Sequence, residues 1–150
     1  MEDERVKQFV KCLCLILIMS FCLASPAAAA ETAAPFSSNY FGSRDAYLWR
    51  TSSTSCEAWF EVTAMRGMAE LGALHVDIER SSDGVNWRVV KSYDRSDYSN
   101  LIKYNTVNHT SYVTFNEMEP GYQYRMYVSL FAKDANGNTA SSGAYGYFVN

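Results

Sequence analysis

The sequence contains two histidines, His75 and His109, and only His75 has a carboxylate at a spacing that suggests acid–base chemistry. In Leu74-His75-Val76-Asp77-Ile78, the imidazole and the Asp77 carboxylate are two residues apart. On an extended chain they share a face, as a base and its orienter would. No G-x-S-x-G elbow and no H-E-x-x-H motif accompanies them. Cys56 is the only thiol after the first thirty residues, and its position in the alternation points it inward while His75 points outward, so a Cys-His pair is not expected. Asp134, Asn136 and Asn138 place oxygen ligands on alternate residues, but Gly137 stands fourth rather than sixth and no acid follows at the twelfth position. A hairpin turn accounts for the same residues. The expectation is a non-enzyme without metal or cofactor, with His75 and Asp77 as solvent-facing strand polars.

The aromatic side chains are the stronger signal. All three Trp and all eleven Tyr lie beyond residue 30, more than a core of this size needs. In Tyr122 to Phe131 the alternation sends Tyr122, Tyr124, Met126, Val128 and Leu130 inward, and Gln123, Arg125, Tyr127, Ser129 and Phe131 outward. Tyr127 and Phe131, joined by His75 and by Tyr147 (or Tyr145, depending on register), are the candidate ligand-binding residues. Such a stripe can stack on sugar rings or dock a peptide. Trp59, between Glu57 and Glu61, is a second exposed aromatic expected on the opposite sheet.

These residues need strands to carry them. From Asp45 onward short period-two segments alternate with turn residues, and Tyr, Val, Thr, Phe and Trp are frequent in them. Cys56, Ala58, Phe60, Val62 and Ala64 make one core face; Leu74, Val76 and Ile78 make the next. "MRGMAELGAL" between them reads as a loop or single turn, because Gly67 and Gly72 spoil a helix. Ser82-Asp83-Gly84 and Asn136-Gly137 supply hairpin chemistry. A third strand, "VNWRVVKSY", puts Trp87 and Val89 on one face, and the "TSYVTF" strand sends Val113 and Phe115 inward. "DRSDYSNLIKYNTVN" reads as an irregular crossover anchored by Leu101 and Ile102. The count is about seven strands, an antiparallel β-sandwich over residues 44–150.

The first thirty residues read differently. Lys7 and Lys11 precede an apolar run from Cys12 to Ala24, followed by Ser25-Pro26 and a small-residue exit at Ala28–Ala30. The run is about thirteen residues, whereas a spanning helix needs roughly twenty. This is the pattern of a cleaved signal peptide over 1–30, with residues 31–43 as a flexible lead-in. Cys12, Cys14 and Cys22 leave with it, so the exported domain holds no internal disulfide. A net charge of -3 with mixed signs argues against nucleic acid, and no membrane association is expected after cleavage.

"MEPGYQYRMYV" resembles the corner of fibronectin type III-like domains, with Met118, Pro120-Gly121, Tyr124 and Val128 in the family's places, and "VDIERSSDGVNWRVV" resembles the adjoining hairpin. The resemblance covers roughly residues 45 to 149. It implies structural roles for Tyr124, Pro120, Gly121 and Trp87, with the Tyr124 hydroxyl tied to nearby backbone. The family's usual inner-strand Trp would be Trp59, yet alternation assigns that core role to Phe60. The order of leader, "YLWR", "ELGALHVDIERSSDGVNWRVV" and "PGYQYRMYVSLFAKDANGNTASS" is also similar to a family of small exported proteins of Gram-positive bacteria, which implies location and a sandwich fold but no activity. Asn108-His109-Thr110 matches a glycosylation sequon, a chance match in a bacterial-looking chain. The expected function is a secreted, monomeric module that binds a protein or carbohydrate at or outside the bacterial surface. A self-associating envelope component and a small hydrolase using His75 and Asp77 are the alternatives.

Overall fold

A computed structural model describes residues 39–149. The expected signal peptide at 1–30 and its three cysteines lie outside the described residues. Strand accounts for 70% of what is described and no α-helix occurs there, so the class is all-β. There are six strands: β1 (Phe41–Arg50), β2 (Cys56–Ser81), β3 (Arg88–Asp94), β4 (Ile102–Phe115), β5 (Gln123–Lys133) and β6 (Thr139–Phe148), with one 3₁₀ turn at Ser99–Leu101. β1 begins at Phe41, so Phe41, Gly42 and Ser43 belong to the fold rather than to the expected lead-in.

The strand count falls one below expectation because β2 is continuous for 26 residues. The segment "MRGMAELGAL", expected as a loop, is the middle of this strand. Laid straight, β2 would run to about 85 Å at roughly 3.3 Å per residue. That is far longer than a domain of this size, whose radius of gyration is about 13 Å. It must bend, and its pairings show where. Between Thr63 and Met68 five steps of β2 face only two of β4, from Asn108 to Thr106. Such a bulge turns the strand and breaks the alternation that would have identified it from sequence. Near the bend, Gly72 packs against the crossover into β4: a Cβ there would lie 3.0 Å from Ile102 Cα and closer still to the Leu101 carbonyl oxygen. Only glycine fits.

The bend lets one strand serve two sets of neighbours. The N-terminal half of β2 pairs with β1 along one edge and β4 along the other. Past the bend β4 stays paired as far as Gly72 while β5 takes the other edge from Glu70; β3 then follows β4 from His75, and β6 pairs with β5. A short parallel contact of Tyr47 and Leu48 with Tyr147 and Phe148 joins β1 to β6, giving a barrel-like closure. All the other pairings are antiparallel.

The core fills the space these strands enclose. Cys56, Ala58, Phe60 and Val62 come from one half of β2 and Val76 and Ile78 from the other, against Met126, Val128 and Leu130 of β5 and Val113 and Phe115 of β4. Phe60 is fully buried and Trp59 lies outside, as alternation assigned them. Two positions depart from it, Leu74 and Tyr122. A bulge between Ala73 and His75 sets Leu74 half-exposed and gives its core place to Ala73. Tyr122, expected inward, precedes β5 in the Pro120-Gly121 turn and is exposed. In β3, for which only a shared face of Trp87 and Val89 was expected, Val90 is an extra residue opposite Ile78 and Glu79, and Val89 is exposed.

Two buried polar groups hold the corners. Tyr124 is in the core, and its hydroxyl accepts the Glu119 N–H at 2.8 Å across the turn where Gly121 takes φ 81°. His109 is buried against the edge of Phe60, and its Nε2 lies 2.8 Å from the Asn100 carbonyl oxygen, so the ring is a neutral donor to the crossover. Burial lowers its pKa below the ordinary 6.5, aided by Lys103 and opposed by the Asn100 bond.

Replacing Tyr124 by Phe should lower stability by about 1 kcal/mol in chemical denaturation, because the Glu119 N–H loses its partner. For His109 the depressed folded pKa means that protons prefer the unfolded chain. Its contribution is therefore complete above pH 6.5 and declines as the pH falls below that value. Thermal melts should show a midpoint that drops between pH 7.5 and 5.5 in the wild type; a H109Q variant should lose that step.

Candidate functional site

The outward face of β3, the C-terminal half of β2, β5 and β6 carries the sequence-derived candidates. Register puts Asp77 opposite Tyr127, and Tyr127 opposite Tyr145. The Tyr127 ring is 6.1 Å from that of His75 and 5.1 Å from that of Tyr145. It also lies over Gly143, where a Cβ would come within 2.5 Å of the Tyr127 hydroxyl, so the small residue of β6 leaves room for the ring. Phe131 is further along β5, beneath the Arg95 guanidinium at 5.0 Å, and Arg95 is held in turn by Glu70. Tyr145 and Tyr147 both face outward, 50% and 55% exposed, with buried Gly146 between them. His75, Tyr127 and Tyr145 therefore form one contiguous row. Phe131 and Tyr147 flank it rather than join it.

The cation inserted into this row was not singled out by sequence reasoning. The Arg125 guanidinium is 4.4 Å from the ring of Trp87 on one side and 4.4 Å from that of Tyr145 on the other. Its Nε donates to Glu79 Oε2 at 2.6 Å. Its pKa is raised: burial pulls it down, and Glu79 together with Tyr147 and Tyr145 outweighs that pull. Trp87 is thus fixed from two directions, since its Nε1–H also donates to the Gly84 carbonyl at 3.1 Å. Only the alternation signal that put Arg125 outward beside Tyr127 could have hinted at this sandwich.

Around His75 the geometry does not assemble a catalytic relay. The Ser92 hydroxyl donates to Asp77 Oδ1, and His75 Nε2 stands 3.7 Å from Asp77 Oδ2. The carboxylate occupies the middle place that an imidazole must hold to take a proton from a serine. Cys56 is fully buried and burial pushes its thiol up to about 11, so the thiolate a nucleophile needs is suppressed. At the β5–β6 turn, Asp134 Oδ1 accepts the N–H groups of Asn136 and Asn138 at 2.9 Å, and Oδ2 meets Arg66 at 3.1 Å. These oxygens hold the turn. Among the described residues no group of three or more His, Cys, Asp or Glu is arranged to take a metal ion.

On the opposite sheet face Tyr47, Trp59 and Tyr112 line up across β1, β2 and β4. Tyr47 and Trp59 are parallel within 4° at 6.3 Å, and Trp59 stacks on Tyr112 at 4.4 Å. Trp59 Nε1–H donates to Glu57 at 2.9 Å. Because Trp59 lies face to face with Tyr112, the ladder spends that face on cross-strand packing.

The chain matches no protein-family model and no curated protein.

An R125K variant keeps the charge but loses the planar stack between two rings. It should cost about 1 kcal/mol of stability. Intrinsic fluorescence should change as Trp87 loses its cover, and the Glu79 pairing should be the only contact retained.

Proposed function

We propose that this chain is an exported, non-catalytic module with a fibronectin type III-like β-sandwich, which binds a protein or glycan partner at or outside the bacterial surface. The observation that carries the binding reading is the contiguous outward row of His75, Tyr127 and Tyr145, flanked by Phe131 and Tyr147, on one rigid sheet face. Rings held by neighbouring strands offer apolar area at little entropic cost. The sandwich reading rests on the pairing pattern. On that reading β1, β4 and the first half of β2 would make one leaf and β3, β5, β6 and the second half of β2 the other, bridged by β4 at Met68–Gly72 and by the β1–β6 contact. The Tyr124 hydroxyl on the Glu119 backbone adds the corner typical of such domains. Export rests on the leader pattern at 1–30 alone.

Self-association is the lesser reading. Cys56 has no access to another chain while the domain is folded. The β4 edge is partly occupied: the carbonyls of Tyr112 and Thr114 accept bonds from Asn100 and Tyr93, and that of Asn108 from Thr106. Occupied carbonyls make a poor template for another strand.

The test is binding to a glycan array and to isolated cell-wall material, wild type against a Y127A/F131A double variant. Loss of about tenfold or more in affinity is expected, the scale of removing one central aromatic contact. Equal binding by the two proteins would remove the aromatic face from the reading.

A further inference from the structure

The β2–β3 hairpin and the start of β5 meet at one end of the domain, beyond Arg125 from Tyr127 and His75. Two depressions there, about 360 and 310 Å³, share Trp87 and Tyr122 as common walls. Each reaches the roughly 300 Å³ at which ligand pockets begin. One face of each shared ring is already covered, Trp87 by Arg125 and Tyr122 by Arg80, both at 4.4 Å. The guanidiniums hold these rings in place.

Charge at this end is unevenly satisfied. Arg80 and Arg88 are directly opposite each other on β2 and β3 and both line the larger depression. Like charges so placed repel. Arg80 is answered by Glu119, yet its Nε is buried without a hydrogen-bond partner. Arg88 has no ion pair among the described residues, and neither has Arg50, which lines the smaller depression with its guanidinium 4.5 Å over Phe148. The nearby Asp83 carboxylate is consumed by its own turn, accepting the N–H groups of Val85 and Asn86 at 2.9 and 2.8 Å. On one side Arg80 and Arg88 share a third depression with Glu117 and Glu119, but only Arg80 is in an ion pair there; an anion between the two arginines on the Trp87 side would relieve the repulsion.

We propose that this end of the domain binds an acidic saccharide, with a sugar ring packed against Trp87 and Tyr122 and its carboxylate held by Arg88 and Arg80. The two depressions run past the same two rings, so a chain of sugars can continue from the Arg88 end toward Arg50. Ser82 and Gln123 border the path and supply hydroxyl and amide partners for ring hydroxyls. This deepens the reading of the chain as a binding module, on a surface that meets the Tyr127 row only at Tyr147, which lines the smaller depression.

The experiment is titration of the protein produced from the full chain with oligogalacturonate, by calorimetry at low and moderate salt. A neutral mannan oligomer and a polyglutamate peptide of similar length serve as comparison probes. Oligogalacturonate should bind, more weakly as salt rises, while the neutral oligomer binds at least tenfold more weakly. R88Q should lose about tenfold in affinity without any fall in melting midpoint, since its side chain is exposed and its loss relieves the repulsion with Arg80. Y127A/F131A should bind oligogalacturonate like the wild type, so a failure of the aromatic-row reading leaves this site standing, and the reverse. The proposal is overturned if oligogalacturonate does not bind, if R88Q binds it unchanged, or if the neutral oligomer binds equally well. Equal binding of polyglutamate would also overturn it and make the surface one for acidic peptides.

Discussion

β2 has two edges and four partner strands, and the rest of the fold follows from how it shares them. The edge that β1 leaves at Ala64 is taken up by β5 from Glu70, and the edge that β4 leaves at Gly72 is taken up by β3 from His75. This works only because the strand bends between Thr63 and Met68 and again slips register at Ala73 to His75. A chain break at that point would give the same pairings with a loop. Continuity instead couples the two halves, so the packing of Phe60 on one side and Ile78 on the other is set by a single backbone. Gly72 is where this arrangement is least forgiving, because the Leu101 carbonyl passes where a Cβ would stand.

Much of the polar chemistry outside the core is committed to holding that frame. Asp83 and Asp134 look like free carboxylates in the sequence, yet each closes its own turn: the backbone N–H groups of Asn86 and Val85 hold the Asp83 pKa down, and the Asn138 side chain, followed by backbone N–H groups, holds down that of Asp134. Arg125, Arg95, Arg66 and Arg80 each cover an aromatic ring. Guanidinium over ring, with a carboxylate at its edge, fixes a large side chain at a surface where packing alone could not. The Tyr124 hydroxyl and the His109 ring do the same inside, tying the β5 corner and the β4 crossover. What remains uncommitted is limited: the row led by Tyr127, and the Arg88 end of the domain.

Sequence alternation served best where strands are regular. Cys56 to Ala64 and Tyr124 to Lys133 alternate strictly, so their core faces and the outward places of Trp59 and Tyr127 could be read directly. It failed wherever a bulge adds a residue, because each added residue exchanges inside for outside. Leu74 and the whole "MRGMAELGAL" stretch are such cases. Tyr122 failed for another reason: it lies one residue before the strand starts, where the period no longer applies. For the candidate site, the faces of Tyr127, Phe131, Tyr147 and His75 were legible, but their grouping was not. Tyr127 touches His75 and Tyr145 across three strands, and Arg125 joins Trp87 from 38 residues away.

By itself, then, the sequence determined that this is a β protein, which side chains of its regular strands form the core, and where its tight turns fall. Those properties depend on near neighbours along the chain: the pleat, the propensities and the φ preferences of glycine. Only the tertiary structure decided that two expected strands are one, that Arg125 lies between two rings, and that Arg80 faces Arg88. Each of these depends on register between segments far apart in sequence, and a single bulge is enough to change that register.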